Sequence, residues 1–156
     1  MAYVKPAYSK GQVNKAGEIL VSPNNYSVAD RLSADAILAN WRACHGYPIN
    51  TFQATLRLKL REVDKNAIVA QRMKRAPSII LKLQRFDGMR LARMQDIGGL
   101  RAIVGNVAKV RALEFSYRQS KFKHELVSSK NYLDELWWSN LKRHNDRLSK
   151  VKRQLT

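Results

Sequence analysis

Cysteine is nearly absent from this 156-residue sequence, which contains Cys44 and no other. A single thiol excludes an internal disulfide and any cysteine-rich metal site. Long apolar runs are also missing, since none reaches the roughly 18 residues that a membrane span requires. The N-terminal stretch lacks the apolar segment of a signal peptide. We therefore expect a cytoplasmic protein without a membrane span.

Acidic residues are scarce: 12 Asp and Glu stand against 29 Lys and Arg, so the net charge is +17. A charge of this size attracts polyanions such as nucleotides, RNA, DNA or an anionic membrane surface, and the charge alone does not distinguish them. Hydrophobic residues make up 45% of the chain, which excludes a disordered composition. The length suits one domain with a modest core.

Apolar residues at helical spacing predict three helices in the first part of the chain, over residues 11–20, 27–44 and 51–63. Asn50 is an acceptable N-cap for the third helix, with Gln53 in the capping-box position three residues later. Together these helices form a predicted helical lead-in.

A basic stretch follows the lead-in and carries the residues of greatest functional interest. The short apolar run at 67–70 predicts a buried strand, and Arg72 and Lys74 come at its end. Residues two apart in an extended segment share a face, so both side chains can point at one ligand.

The next segment begins with a helix signal. Pro77 is predicted to end the extended segment, and Ser78 is predicted to cap a helix that runs to about residue 86. Lys82 and Arg85 lie three residues apart and are neighbours on one face of this helix. The side chains predicted to point inward are Ile79, Leu83 and Phe86.

Residues 95–104 predict a second strand, and residues 106–119 predict a helix. In a regular strand Asp96 and Arg101 would face opposite sides of the sheet, but a bulge at the intervening glycine pair would bring them together. The order of helices and strands predicts an α+β fold around a small sheet. The inward side chains predicted for the helix are Val107, Val110, Leu113 and Tyr117.

The end of the chain differs in character. Residues 137–155 carry apolar side chains at heptad-like spacing between mainly basic residues. This pattern predicts a basic amphipathic helix, suited to packing on the domain, to self-association or to an anionic surface. We expect Trp137, Leu141 and Leu148 to fold back onto the sheet, whose edge and apolar face would otherwise be exposed.

Residues 71–104 resemble the synthetase domain of the RelA/SpoT family, which makes the guanosine tetra- and pentaphosphate alarmones. The family's R-x-K turn, S-I-x-x-K-x-x-R helix and D-[LI]-x-[AG]-[IL]-R strand follow one another here in the same order and spacing. Residues 129–132 look like the family's K-D-Y-I segment. The matching residues of the first stretch are Arg72, Lys74, Ser78, Ile79, Lys82, Arg85, Asp96 and Arg101.

The resemblance implies transfer of pyrophosphate from ATP to the 3′-oxygen of GDP or GTP, with Mg²⁺ as cofactor. The acceptor stays open between free guanosine nucleotides and RNA, in particular the 3′ end of tRNA. It implies a catalytic and Mg²⁺-binding role for Asp96, and an acceptor-side role for Lys130 and Tyr132. Cationic groups position a triphosphate and neutralise its developing charge, and Mg²⁺ prefers carboxylate and phosphate oxygens, which agrees with these roles. The ATP-binding residues that it implies are Arg72, Lys74, Ser78, Lys82 and Arg85.

The family pattern is incomplete in this sequence. Asn131 stands where the family has Asp. The later P-K-x-x-G-Y-x-S-x-H and E-x-Q-x-R-T segments, which supply the family's guanine-stacking aromatic and second metal carboxylate, have no counterpart. The match covers the ATP-side half of the family's domain, over residues 40–132, and predicts a synthetase that is incomplete or inactive.

The resemblance also predicts how the chain is organised, as one truncated α+β domain. A helical lead-in occupies residues 1–66. A partial, nucleotidyltransferase-like mixed β-sheet flanked by helices occupies residues 67–132, and the basic amphipathic helix occupies residues 133–156.

Alternatives remain at two levels. Asp96 is either a metal ligand or a structural ion-pair partner of a neighbouring arginine such as Arg93. The chain is either a pyrophosphokinase module, a non-catalytic basic remnant that binds nucleotides or RNA, or a protein that self-associates through residues 137–155 or binds a membrane surface.

Overall fold

A computed structural model describes residues 3–122, 124 and 126–132 of the chain. The described part combines helices with a two-stranded antiparallel sheet, which confirms the predicted α+β class. Its helices are α1 (Lys10–Val21), α2 (Val28–Cys44), α3 (Gly46–Val63), α4 (Ala76–Arg85) and α5 (Val107–Arg118), and its strands are β1 (Ile68–Met73) and β2 (Gly98–Ile103).

The first two helices begin where serine can cap them. The Ser9 hydroxyl accepts a hydrogen bond from the backbone N–H of Gln12, and the Ser27 hydroxyl accepts one from the backbone N–H of Asp30. Both Gln12 and Asp30 return a side-chain bond to the cap, which completes a capping box at each helix. The predicted boundaries of these helices are correct to within a residue.

The third helix begins at Gly46, five residues before the predicted start, so the prediction that Asn50 caps it is wrong. Pro48 lies within the first turn, where its missing N–H group would have no helical partner in any case. The backbone N–H of Ile49 already donates to the carbonyl of His45 at 3.2 Å. Proline therefore marks the beginning of this helix and not the connection before it.

One apolar core joins the helical lead-in to the segment that follows β1. Gly17 on α1 allows close contact, because a Cβ there would lie 3.0 Å from the Cβ of Leu91. Ile79 and Leu83 of α4 are buried as predicted, but Phe86 follows the end of the helix and is 48% exposed, so its inward assignment is wrong. The buried cluster consists of Val13, Leu38, Ile79, Leu83, Leu91, Met94 and Ile97.

The two strands pair antiparallel, from Ile68 opposite Ile103 to Met73 opposite Gly98. The prediction of a mixed sheet is therefore wrong for the described strands, because both pair antiparallel. Strand β1 extends three residues beyond the predicted end at residue 70, and β2 starts three residues after the predicted start at residue 95.

The sheet has one covered and one open face. On the covered face Gly98 lies against α3, where a Cβ would overlap the Cδ1 atom of Ile49. The open face is exposed to solvent along both strands. Its side chains alternate with those of the covered face; they are Ile68, Ala70 and Arg72 of β1 and Arg101 and Ile103 of β2.

Helix α5 packs beside α3, and Asn106 caps it by accepting from the backbone N–H of Lys109 at 2.9 Å. Val107 and Val110 are 53% and 39% exposed, so their inward assignment is wrong. Leu113 and Tyr117, nearer the end of the helix, are partly buried. The apolar contact with α3 therefore involves the second half of α5.

The chain divides into two compact units, Met1–Gln119 and Ser120–Thr156. All of the helices and strands named above belong to the first unit. Within the described ranges, no helix is both long enough and apolar enough to cross a membrane. The predicted helix at 133–156 and its contacts with the sheet lie outside the described residues.

Candidate functional site

Three charged side chains meet where the sheet adjoins α4. The Asp96 carboxylate lies 2.8 Å from the Nζ atom of Lys74 through Oδ2, and 2.7 Å from the Nζ atom of Lys82 through Oδ1. Each carboxylate oxygen thus accepts from a different ammonium group. We refer to Lys74, Lys82 and Asp96 as the Lys–Asp–Lys cluster; it carries a net charge of one positive unit.

Buried apolar residues adjacent in sequence to Lys82 and Asp96 hold the backbone that carries these two side chains. Lys82 lies between Ile79 and Leu83, the two buried residues of α4. Packing of these two side chains fixes the backbone position of Lys82. Asp96 directly precedes Ile97, which is fully buried. Lys74 directly follows β1. The cluster therefore assembles side chains from three separate segments.

The backbone of Lys74 is held on both sides. Its N–H group donates to the carbonyl of Ile97 at 2.7 Å, which continues the β1–β2 ladder by one step. Its carbonyl accepts from the Nε–H group of Arg42, at 3.0 Å, from the last turn of α2. Sequence reasoning missed Arg42, since a bond from a side chain to a backbone carbonyl 32 residues away leaves no periodic signal.

The two lysines keep Asp96 ionised. Partial burial favours the protonated acid, but the hydrogen bonds and positive charges of Lys74 and Lys82 outweigh burial and lower the pKa of Asp96 to about 2. The lysine side chains are the more enclosed members, 15% and 26% exposed against 49% for Asp96. The exposed carboxylate therefore covers two partly enclosed ammonium groups.

Arg72 and Arg101 lie on the open face of the sheet, and Arg72 precedes Lys74 by two residues in the chain. Arg72 pairs with Gly99, and Arg101 pairs with Ala70, so the two arginines are diagonal neighbours on the same face. Both are exposed. Gly98 and Gly99 each pair with one residue of β1, so the bulge considered above does not form, and Asp96 precedes the strand.

Four further residues were predicted to belong to the site but are not members of the Lys–Asp–Lys cluster: Ser78, Arg85, Lys130 and Tyr132. Ser78 does not cap α4: Arg75 occupies the N-cap position, and no side chain makes a capping bond there. Arg85 is exposed in the last turn, with its guanidinium 5.7 Å from the ring centre of Phe86. Lys130 and Tyr132 belong to the second unit of the chain.

Asp96 pairs with lysines and not with a neighbouring arginine such as Arg93, so the ion-pair alternative takes a different form from the one expected. In the part of the chain that the structure describes, no group of three or more His, Cys, Asp or Glu side chains could hold a metal ion. One carboxylate beside two ammonium groups does not suit Mg²⁺ held by protein alone. It does suit Mg²⁺ shared with phosphate oxygens, the usual arrangement at nucleotide sites.

An apolar groove lies between α3, β2 and α5. Its lining includes Ile49, Phe52 and Leu100, and also Leu113 and Tyr117. Among the residues that the structure describes, no cationic side chain lines it. The described lining of the groove is thus apolar, whereas the cluster is charged.

Neither a comparison with protein-family models nor a comparison with curated proteins finds a match to this chain. The resemblance to the RelA/SpoT family therefore rests on the residues quoted above and stays a prediction.

Proposed function

We propose that this chain carries the ATP-binding half of a RelA/SpoT-type nucleotide pyrophosphokinase module, acting in the cytoplasm. The observation that supports this proposal is the Lys–Asp–Lys cluster. It brings together Lys74, Lys82 and Asp96, three of the residues to which the family pattern gives phosphate or metal roles.

The cluster has the properties that a triphosphate site requires. Lys74 and Lys82 are partly enclosed, and their ammonium groups lie close enough together to contact the same carboxylate. Phosphate oxygens are strong acceptors from ammonium groups. In a partly enclosed site such charge-assisted bonds are stronger than in water.

Asp96 neutralises one of the two positive charges of the cluster, so one net positive charge remains to attract a phosphate group. A bound triphosphate would draw Lys74 and Lys82 to its oxygens and release at least one oxygen of Asp96. Asp96 is then the carboxylate of the cluster that would hold Mg²⁺ together with the phosphates. Mg²⁺ would supply Lewis-acid polarisation of the phosphoryl group and neutralise its developing charge.

The open face of the sheet extends the site beyond the phosphates. Arg72 and Arg101 present two guanidinium groups on adjacent strands. Guanidinium is planar, binds phosphate with paired donors and stacks on flat rings. The two arginines can therefore bind further phosphate oxygens or the faces of a base.

The proposed reaction moves pyrophosphate from ATP to the 3′-hydroxyl of GDP or GTP. The 3′-oxygen attacks the β-phosphorus of ATP, the bond from that phosphorus to the bridging oxygen of the α-phosphate breaks, and AMP leaves while the hydroxyl proton passes to a base. Lys130 and Tyr132 are the proposed acceptor-side residues. Guanine-binding and second-carboxylate groups are missing from the sequence, so turnover is proposed to need them from elsewhere.

A second function is favoured by the charge of the whole chain. With a net charge of +17, the chain would bind RNA or nucleotides through the same lysines and arginines without catalysing a reaction. The two proposals differ in their dependence on Mg²⁺ and salt, since non-specific RNA binding weakens steeply as salt rises.

The deciding experiment is calorimetric titration of a non-hydrolysable ATP analogue with and without Mg²⁺. We expect Mg²⁺-assisted binding that weakens by about tenfold in Lys74→Ala, because a hydrogen bond to a charged group is lost. Lys10→Ala is the charge-matched control, since Lys10 lies exposed on α1. Equal weakening in both variants, or RNA binding that ignores Mg²⁺, would favour the basic remnant.

A further inference from the structure

Arg42 links the helical lead-in to the Lys–Asp–Lys cluster. It lies in the last turn of α2, one turn after the buried Leu38, and its side chain is itself partly buried. Its Nε–H group donates to the carbonyl of Lys74 at 3.0 Å. No feature of the family pattern described above gives this residue a role.

The bond acts at the point where strand β1 turns into helix α4. Lys74 and Arg75 alone separate Met73, the last residue of β1, from Ala76, the first of α4. This connection sets the distance between Lys74 and Lys82, which lies two turns into α4. A shift of the connection would therefore move one ammonium group relative to the other.

Two anchors hold this connection from opposite sides. The carbonyl of Ile97 accepts from the Lys74 N–H group, and Arg42 donates to the Lys74 carbonyl. Asp96 neighbours Ile97, so the first anchor also sets the carboxylate opposite Lys74. Without Arg42, the Lys74 carbonyl would lose its side-chain donor, and one anchor would remain.

We propose that Arg42 is a positioning residue for the phosphate site: by holding the main chain at Lys74, it keeps the Lys74 ammonium group aligned with Asp96 and Lys82. Its importance for nucleotide binding rests on the proposed function, but its effect on the cluster does not. Arg42 touches the backbone of the site and not the ligand.

The experiment compares Arg42→Met, which keeps an unbranched apolar stem but removes the donor, with Arg42→Lys, which keeps a donor. Arg57→Met is the charge-matched control, because Arg57 is exposed on α3. Hydrogen exchange of the Lys74 amide and acetylation of the Lys74 amine report on the cluster without nucleotide. Titration of the ATP analogue with Mg²⁺ and a thermal melt complete the set.

In Arg42→Met we expect the Lys74 amide to exchange about tenfold faster, its amine to acetylate faster and the analogue to bind about tenfold more weakly. Arg42→Lys should recover most of each change, and Arg57→Met should show none. Exchange at Lys74 that matches Arg57→Met would overturn the inference, as would unchanged affinity in a folded Arg42→Met protein. If the wild type binds no nucleotide, the proposed function fails, and exchange and acetylation alone decide the role of Arg42.

Discussion

Asp96 neutralises one of the two positive charges of the Lys–Asp–Lys cluster. Removing its charge should therefore have opposite effects on two ligands. In Asp96→Asn we expect Mg²⁺-free tripolyphosphate to bind several-fold more tightly, because both ammonium groups become available. We expect the assistance of Mg²⁺ to ATP-analogue binding to disappear. Calorimetry with both ligands measures the two effects.

The control for this experiment is Asp35→Asn, which removes an exposed carboxylate of α2. If Asp35→Asn reproduced the tighter binding of tripolyphosphate, the effect would come from the overall charge. Weaker binding in Asp96→Asn would mean that Asp96 organises the lysines more than it competes for them.

Asp64 provides a second charge-dependent prediction, on stability. It is buried at the end of α3, accepts from the backbone N–H of Gly105 at 2.9 Å and lies 3.0 Å from the Lys109 ammonium group. The Gly105 hydrogen bond and the Lys109 hydrogen bond and charge lower the pKa of Asp64 below its usual value, against the opposing effect of burial. The lowered pKa stabilises the folded state above the unfolded-state pKa, and this stability is lost as the pH falls through the folded-state pKa.

We therefore expect Asp64→Asn to unfold at a lower denaturant concentration than the wild type at pH 7. The gap should narrow as the pH falls below about 4, the usual pKa of an aspartate. Denaturation curves at a series of pH values measure it. A gap that stayed constant down to pH 2 would show that ionisation of Asp64 contributes nothing.

At the scale of elements, the contact between β2 and α3 depends on a single glycine. A Cβ at Gly98 would overlap the Cδ1 atom of Ile49, whereas a Cβ at Gly99 would meet no atom within 4 Å. We expect Gly98→Ala to destabilise the fold by about 1–3 kcal/mol. Gly99→Ala should change stability by less than about 0.5 kcal/mol.

Ile49→Val provides the rescue, because it deletes the Cδ1 atom. Chemical denaturation of the single and double variants gives the coupling free energy. We expect Gly98→Ala combined with Ile49→Val to be more stable than the sum of the two changes predicts. Additive effects would mean that the destabilisation arises elsewhere.

The elements show what sequence could and could not predict. The apolar spacing that predicted α1 and α2 is a local signal, so both helices were located to within a residue. Pro48 suits both a connection and a first turn, and only packing selects the latter. Val107 and Val110 follow the helical spacing, but α3 reaches only the second half of α5.

The candidate site was also predictable only in part from the sequence. Lys74, Lys82 and Asp96 were identified from the resemblance to the RelA/SpoT pattern, which places them in one continuous stretch. Their contact with one another depends on the antiparallel register of β1 and β2, which spacing does not specify. Arg42 lies outside that stretch and acts on a backbone atom, so no pattern of residue types could have indicated it.

At the scale of the whole molecule, the lead-in and the basic segment share one core. Val13 and Leu38 lie before residue 66, whereas Ile79 and Ile97 lie after it, and all four are buried in one cluster. We therefore expect residues 67–132 expressed alone to show no cooperative thermal melt, while the full chain melts cooperatively. Circular dichroism measures both, and a cooperative melt of residues 67–132 would contradict the shared core.

The shared core also affects the order of events during synthesis on the ribosome. Helix α1 ends at Val21, but Ile97, which packs in the same cluster, is made much later. At about 5–20 residues per second, residues 22–97 take about 4–15 s to translate. For that time the apolar face of α1 lacks part of its native cover. The nascent chain therefore exposes part of this apolar face until the second half of the domain has been made.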